Sequence, residues 1–239
     1  MTKIILITNI PTPYRIPLFN ELKRQLSSKN IKFKVIFGAS GYPRRKWKID
    51  MSECCFDYNI LSSRKIILNN SEKTIFTYRG LFKVIKSERP EVIITIGFSL
   101  ATTKIWLLSW LKKIKYIIWS GAAQRDKCKK DSLIRRIQRK YLIKRAHGFI
   151  AYGSKAKSYL ISLGANRTKI KIGINTVDTG FFQRETKKCR NSSTRSNINW
   201  LLYIGNLTAG KRVDLLLDMV KSLLKNRDDF ILKLVGDGP

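Results

Sequence analysis

Gly205, Asn206, Lys211 and Arg212 stand between an apolar strand and an amphipathic helix in the run WLLYIGNLTAGKRVDLLL (residues 200–217). In open α/β sheets, ligands sit beyond the carboxyl ends of the strands. There the first N–H groups of a helix and its positive dipole end face phosphate. Gly205 allows close backbone approach, and Lys211 supplies a point charge suited to a diphosphate. The same residues would also make an ordinary βα loop with a solvated lysine, and both readings stand at this level. The next strand ends in Gly236-Asp237-Gly238, without the G-x-G-x-x-G spacing of a dinucleotide site, so nicotinamide and flavin chemistry gain little support.

A second candidate is Asn9-Ile10-Pro11-Thr12-Pro13-Tyr14-Arg15, after the first strand. Two prolines stiffen this loop, and Arg15 is a bidentate phosphate donor or, alternatively, the cap of a rigid turn. Ser120, in Trp119-Ser120-Gly121, places a hydroxyl at another strand end, while Trp119 reads as core. His147 is the single histidine and precedes a strand, which favours a surface or interface role over a general base. Cys54, Cys55, Cys128 and Cys189 have no C-x-x-C spacing. With one histidine they argue against a zinc site, and for a reducing, cytoplasmic compartment.

The elements that must position these residues alternate. Strands are expected at Lys3–Thr8, Lys32–Phe37, Val92–Ile96, Lys115–Trp119, Gly148–Tyr152 and Ile170–Ile174. Helices are expected at Ile16–Leu26, Leu81–Ser87, Ser99–Leu111, Ser132–Arg145 and Ser154–Leu163, the last stopped by Gly164. Region 42–70 is less regular. Strands separated by helices of this length imply an α/β, doubly wound parallel sheet. Residues 1–183 then form a first Rossmann-like domain, the polar stretch 184–199 a linker, and residues 200–239 one βαβ unit of a second domain that reads as incomplete.

The chain has 239 residues and a formal net charge of +32, which favours anionic partners. Residues 125–145 hold ten Lys/Arg against Asp126 and Asp131. On a helix, Leu133, Ile137 and Tyr141 share one face, so this stripe is expected on the sheet. Arg135, Arg136, Arg139 and Lys140 are then expected to face outward, toward an anionic membrane or simply solvent. No nucleic-acid-binding motif is present, and the aromatics sit in apolar runs rather than among charges, which argues against nucleic acid. The N-terminal apolar stretch is too short for a signal peptide, and Ile93–Leu111 parses as a buried strand and helix rather than a membrane span.

Three segments carry a resemblance. NIPTPYRIPLFNEL, KRAHGFIAYGSKAKSYLISLGANRTKIKIGINTVDTGFF and LLYIGNLTAGKRVDLLL…KLVGDGP, in that order and spacing, resemble family 4 glycosyltransferases, retaining enzymes of the GT-B fold. The resemblance covers nearly the whole chain. It implies two Rossmann-like domains facing a cleft, with the acceptor on the N-terminal one and a nucleotide-sugar on the C-terminal one, and no essential metal or cofactor beyond that co-substrate. It implies that Gly205, Asn206, Lys211 and Arg212 lie at the donor diphosphate, that Pro13, Tyr14 and Arg15 help close the cleft, and that Ser120 and Asn175 line it.

The chain departs from the family in having Asn206 where an arginine is usual, Arg212 where a glycine follows the lysine, and no histidine near Ser120. No two of its glutamates stand eight apart, as the donor-binding pair of the family does. The expectation is therefore a glycosyltransferase acting from a nucleotide-sugar donor on a cell-surface glycan or lipid-linked acceptor, as in polysaccharide or lipopolysaccharide biosynthesis. It would work at the inner face of the cytoplasmic membrane, and this chain alone would be impaired. The alternative is a non-catalytic cationic module for anionic membrane or nucleic acid.

Overall fold

β1 (Lys3–Thr8) is apolar from Ile4 to Ile7 because both faces of the sheet are covered: Ile5 and Ile7 enter one core cluster and Leu6 the other. The structure is a computed structural model and describes residues 1–41, 50–67, 74–123, 132–192 and 199–238. Outside the described residues lie the basic run 125–130 with Cys128, parts of region 42–70, the linker end 193–198, and Pro239.

Helix α1 (Ile16–Ser27) carries Pro17 in its first turn, where a missing N–H costs nothing. It leads to β2 (Lys32–Phe37), with Phe33, Val35 and Phe37 on one side, packed with Phe19 of α1. Then come β3 (Asp57–Ile60) and a two-stranded antiparallel pair, β4 (Lys65–Ile67) with β5 (Thr74–Phe76). The regular alternation resumes with α2 (Leu81–Glu88), β6 (Val92–Ile96), α3 (Leu100–Leu111), β7 (Lys115–Ser120), α4 (Leu133–Arg145), β8 (Gly148–Ala151), α5 (Ser154–Ser162) and β9 (Ile170–Ile172). Gly164, just past α5, has φ +98°, the left-handed conformation that ends a helix at least cost in glycine.

The main sheet has seven parallel strands in the order β3-β2-β1-β6-β7-β8-β9. Its order reverses between β1 and β6. Helix α1 covers one face, while α2, α3, α4 and α5 supply the apolar residues of the other. Right-handed crossovers running opposite ways from the switch require this arrangement. No helix among the described residues is long and apolar enough to cross a membrane, and Ile93–Leu111 divides into β6 and α3 as expected.

Two expectations are corrected. The polar stretch 184–199 begins inside a helix, α6 (Thr179–Ser192). Helix α4 is turned the other way: Leu133, Ile134, Ile137 and Tyr141 are 72%, 78%, 46% and 61% exposed. Leu142 and Ile143 face the sheet instead. The helix carries two apolar stripes, and the one nearer its C-terminus is the one that is buried.

The chain divides into two compact units, Met1–Thr179 and Gly180–Pro239. Besides α6, the second contains β10 (Asn199–Ile204), α7 (Val213–Leu223) and β11 (Phe230–Val235), a parallel βαβ unit.

Candidate functional site

The switch between β1 and β6 defines a crevice at the carboxyl edge of the first sheet. Asn9 leaves β1 there, and its Oδ1 accepts from the Tyr78 hydroxyl. Gly97, at φ +68°, turns the chain out of β6 into Ser99, the N-cap of α3. Burial pushes the Tyr78 phenol up to about 12, against a hydrogen bond with Ser99, so it remains a neutral donor at physiological pH.

One strand further, Arg15 is buried, with 9% exposure. Its Nη2 donates to the Tyr152 hydroxyl at 2.8 Å and Nη1 to Thr8 Oγ1 at 3.4 Å. Its guanidinium lies 5.4 Å from the Tyr14 ring centre and 5.8 Å from that of Trp119. Trp119 meets Tyr152 edge to face at 5.8 Å. Thus the loop after β1 is bolted to the ends of β7 and β8 by one arginine and three aromatic rings. Arg15 Nε, Trp119 Nε1 and Thr12 Oγ1 are buried with no hydrogen-bond partner. Such a site carries positive charge without free donors at the surface, and Arg15 orders the loop.

Pro13 is exposed and Tyr14 half-buried on that loop. Ser120 is buried, its Oγ accepting from the Ala122 N–H at 3.1 Å, so its hydroxyl shapes the turn after β7. Gly121 must be small here: a Cβ would meet Tyr152 Cδ2 at 2.5 Å. Asn175 stands exposed beyond β9. The structure therefore brings Arg15 to the strand that carries Ser120, through Trp119 and Tyr152. Tyr152 and Tyr78 escaped sequence reasoning because their partners lie 137 and 69 residues away. The turn at Gly97–Ser99, a glycine and a capping serine directly after a strand, was the signal open to be read. None of residues 8–15, 97–100, 119–123, 151–155 or 172–176 is Asp, Glu or His. These described segments can bind and orient hydroxyls or an anion, and they offer no ready general base.

In the second unit the ends of β10 and β11 are stitched together. Gly205 N–H donates to the Val235 carbonyl at 3.0 Å and Leu207 N–H to that of Asp237 at 2.8 Å. A Cβ on Gly236 would lie 1.8 Å from the Gly205 carbonyl oxygen, so only glycine fits. Asn206 accepts at its carbonyl from the Tyr203 hydroxyl at 3.0 Å. Lys211 closes a 3-10 turn, Ala209–Lys211, immediately before α7, and is exposed. Arg212 adopts the left-handed region at φ +52° and pairs with Asp214 at 3.1 Å. Lys211 is thus the cation presented at this turn, and Arg212 is engaged locally.

The outward residues of α4 also fall differently from expectation. Arg135, Arg136 and Lys140 are exposed, but Arg139 turns inward: it bonds to the Tyr159 hydroxyl and lies 5.2 Å from the Phe98 ring centre. Among the described residues no group of three or more His, Cys, Asp or Glu could hold a metal ion.

No protein-family profile matches the chain, and no curated protein matches it by sequence. Solved structures do match, 86 chains in all. The Anabaena protein Alr3699/HepE, solved with UDP and glucose, is 15% identical with a TM-score of 0.66, over 100% of this chain and 62% of its own. The fold is of the GT-B type. The apo lipopolysaccharide outer core galactosyltransferase WaaB is 17% identical at TM-score 0.55, over 99% of this chain and 61% of its own. The UDP-GlcNAc 2-epimerase of Methanocaldococcus jannaschii is 16% identical at TM-score 0.53, over 98% and 65%. This chain spans less than two thirds of the length of each.

Proposed function

We propose that this chain is a retaining glycosyltransferase of family 4, which moves a sugar from a nucleotide-sugar to a glycan or lipid-linked acceptor without a metal. It works at the inner face of the cytoplasmic membrane, in polysaccharide or lipopolysaccharide synthesis. The observation that carries the reading is Lys211, exposed at the turn that opens α7 beside the stitched ends of β10 and β11. Helix N-terminal N–H groups and one uncommitted cation are what a donor diphosphate requires. Solved proteins of the same fold include complexes with UDP and with UDP-glucose. By itself the chain transfers slowly, since none of its glutamates forms the eight-apart pair that the resemblance calls for.

Titration of the purified chain with UDP-sugars and other nucleoside diphosphate sugars, followed by NMR, tests this. Binding that shifts the amides of Gly205–Val213 and weakens about tenfold in Lys211→Ala supports it. If no nucleotide binds, or if Lys211→Ala binds as well as the parent, the reading fails. The presence of a UDP-GlcNAc 2-epimerase among proteins of this fold raises epimerisation as a second reading. That chemistry needs a group to move the proton at the sugar carbon, and none of the described residues 8–15, 97–100, 119–123, 151–155 and 172–176 at the carboxyl edge of the first sheet is Asp, Glu or His. Product analysis separates the two: a changed free nucleotide-sugar means epimerisation, and a lengthened acceptor means transfer.

A further inference from the structure

The corrected orientation of α4 gives its outer surface two stripes. At about 100° per residue, Ile137, Tyr141 and Ile134 fall toward the side of the helix that carries Gln138 and Arg145. Arg136 and Lys140 fall toward the opposite side of the same outward arc, with Leu133 and Lys144 between the two groups. Gln138 donates to Thr103 Oγ1 at 3.0 Å and Arg145 to Ser109 Oγ at 2.9 Å, so the apolar stripe borders α3. At that border α3 exposes Trp110 and Leu111, by 62% and 82%, followed by Lys112 and Lys113. The cationic stripe borders a cavity of about 520 Å³ between α4 and the end of α5, lined by Lys140, Lys144 and Lys169 over a floor that includes Ile143, Phe149 and Leu163. From Ser132 to Val177 the chain has eleven Lys/Arg and not one Asp or Glu.

We propose that this outer face of α3 and α4 is the surface by which the protein docks on an anionic bilayer, with Trp110, Leu111, Ile134, Ile137 and Tyr141 entering the interface and the lysine-lined cavity taking a phosphate-bearing headgroup. An amphipathic surface lies in a membrane when apolar and aromatic residues are exposed beside Lys and Arg, since each group then meets its own solvent. Attraction by charge alone would not need exposed Leu and Ile, and a nucleic acid held through its phosphates would leave those aliphatic side chains in water. The face is without carboxylates, which matches it to phosphate. The inference rests on the peripheral-membrane part of the reading above and not on sugar transfer, so nucleotide-sugar binding can fail without affecting it.

The test is sedimentation of the 239-residue chain with phosphatidylcholine vesicles, with and without phosphatidylglycerol, across a salt series. Binding is expected only with the anionic lipid. It should weaken at least about tenfold both in Ile134→Ser/Ile137→Ser and in Lys140→Gln/Lys144→Gln, with little change in a control pair near α1, Lys29→Gln/Lys32→Gln. Brominated lipid should quench tryptophan fluorescence in the parent, and Trp110→Phe should remove most of that quenching. All substituted positions lie on the surface, and circular dichroism verifies that each variant folds. Equal losses in the Lys29/Lys32 control with none in the isoleucine variant would overturn the docking face, leaving diffuse electrostatic adsorption and the peripheral reading intact. No binding to anionic vesicles would overturn both. Tighter binding to random DNA, lost in the same variants, would reassign the surface to nucleic acid and overturn the inference.

Discussion

On one side of the first unit, Glu88 of α2 accepts Lys3 of β1 at 2.9 Å and Lys34 of β2 at 2.6 Å, and Glu21 of α1 accepts Arg24 at 2.6 Å. On the other side, from α4 through β9, no carboxylate exists to play that part. Arg145 is held there by the Ser109 hydroxyl and carbonyl, at 2.9 and 2.6 Å, and by the face of Trp110 at 4.2 Å. Arg139 is held by Tyr159 and Phe98. Both sides seat their cations, but only the first cancels them. Hydroxyls, carbonyls and aromatic faces satisfy the geometry of a guanidinium and leave its charge to act at a distance. Positive potential over α4 and α5 is therefore a property of how the arginines are held as well as of how many there are.

The contrast is broken most directly at Arg15, a buried cation held entirely by neutral partners. Arg15→Ala should cost about 3 kcal/mol, because it opens a cavity and strands the Tyr152 hydroxyl, and thermal unfolding with a urea series will measure it. Arg145→Ala should cost about 2 kcal/mol through its hydrogen bonds to Ser109. By contrast, Arg24→Ala on the exposed face of α1 should leave the melting temperature unchanged, since surface pairs contribute little. Equal losses at Arg145 and Arg24 would erase the distinction.

Glu88 sharpens the other arm. Lys34, then Lys3, hold its carboxyl below the ordinary value of 4.5. A carboxylate with a depressed folded pKa stabilises above its unfolded value, and that stability is lost as pH falls through the folded one. Glu88→Gln should therefore lose about 1 kcal/mol at neutral pH and converge with the parent in acid. Hydrogen exchange resolved by segment should show the loosening in β1 and β2 and none in β8.

The smallest effect belongs to His147. Burial, with Lys115, Lys169 and Arg145 nearby, holds its imidazolium below the ordinary 6.5. The unfolded chain takes up the proton first, so this contribution falls as pH drops below 6.5 and levels off once the folded imidazole titrates. NMR can follow this lone imidazole, and His147→Gln should flatten that part of the profile.

Much of the architecture could be read from residue patterns. β1, β2 and β6 fall where their apolar runs place them, and Gly164 ends α5 because a helix stop asks for a residue at ease at positive φ. The orientation of α4 could not be read, since periodicity shows that a stripe exists but not whether sheet or water lies against it. Two stripes competed, and Leu142 and Ile143 took the sheet. Polar composition likewise failed to mark α6 as a helix, because an exposed helix needs no apolar pattern of its own. At the candidate site, the loop at 9–15 and the turn at 205–212 announce themselves by proline, glycine and basic residues. The Arg15–Tyr152 bond joins elements far apart in the chain, and no local signal precedes it.

The helices over this sheet face run alongside its strands, which sets a height for the carboxyl edge. With α3 and α4 lying flat on a bilayer, the strands run parallel to the lipid surface and the edge opens sideways, raised by roughly one helix diameter, about 10 Å. If the transfer proposed above uses a lipid-linked acceptor, that acceptor would then have to lift its reactive hydroxyl clear of the headgroups by that distance before it came level with Asn9 and Tyr14. Stand-off of this kind acts as a ruler: it would favour acceptors that already carry sugar units over a bare lipid phosphate.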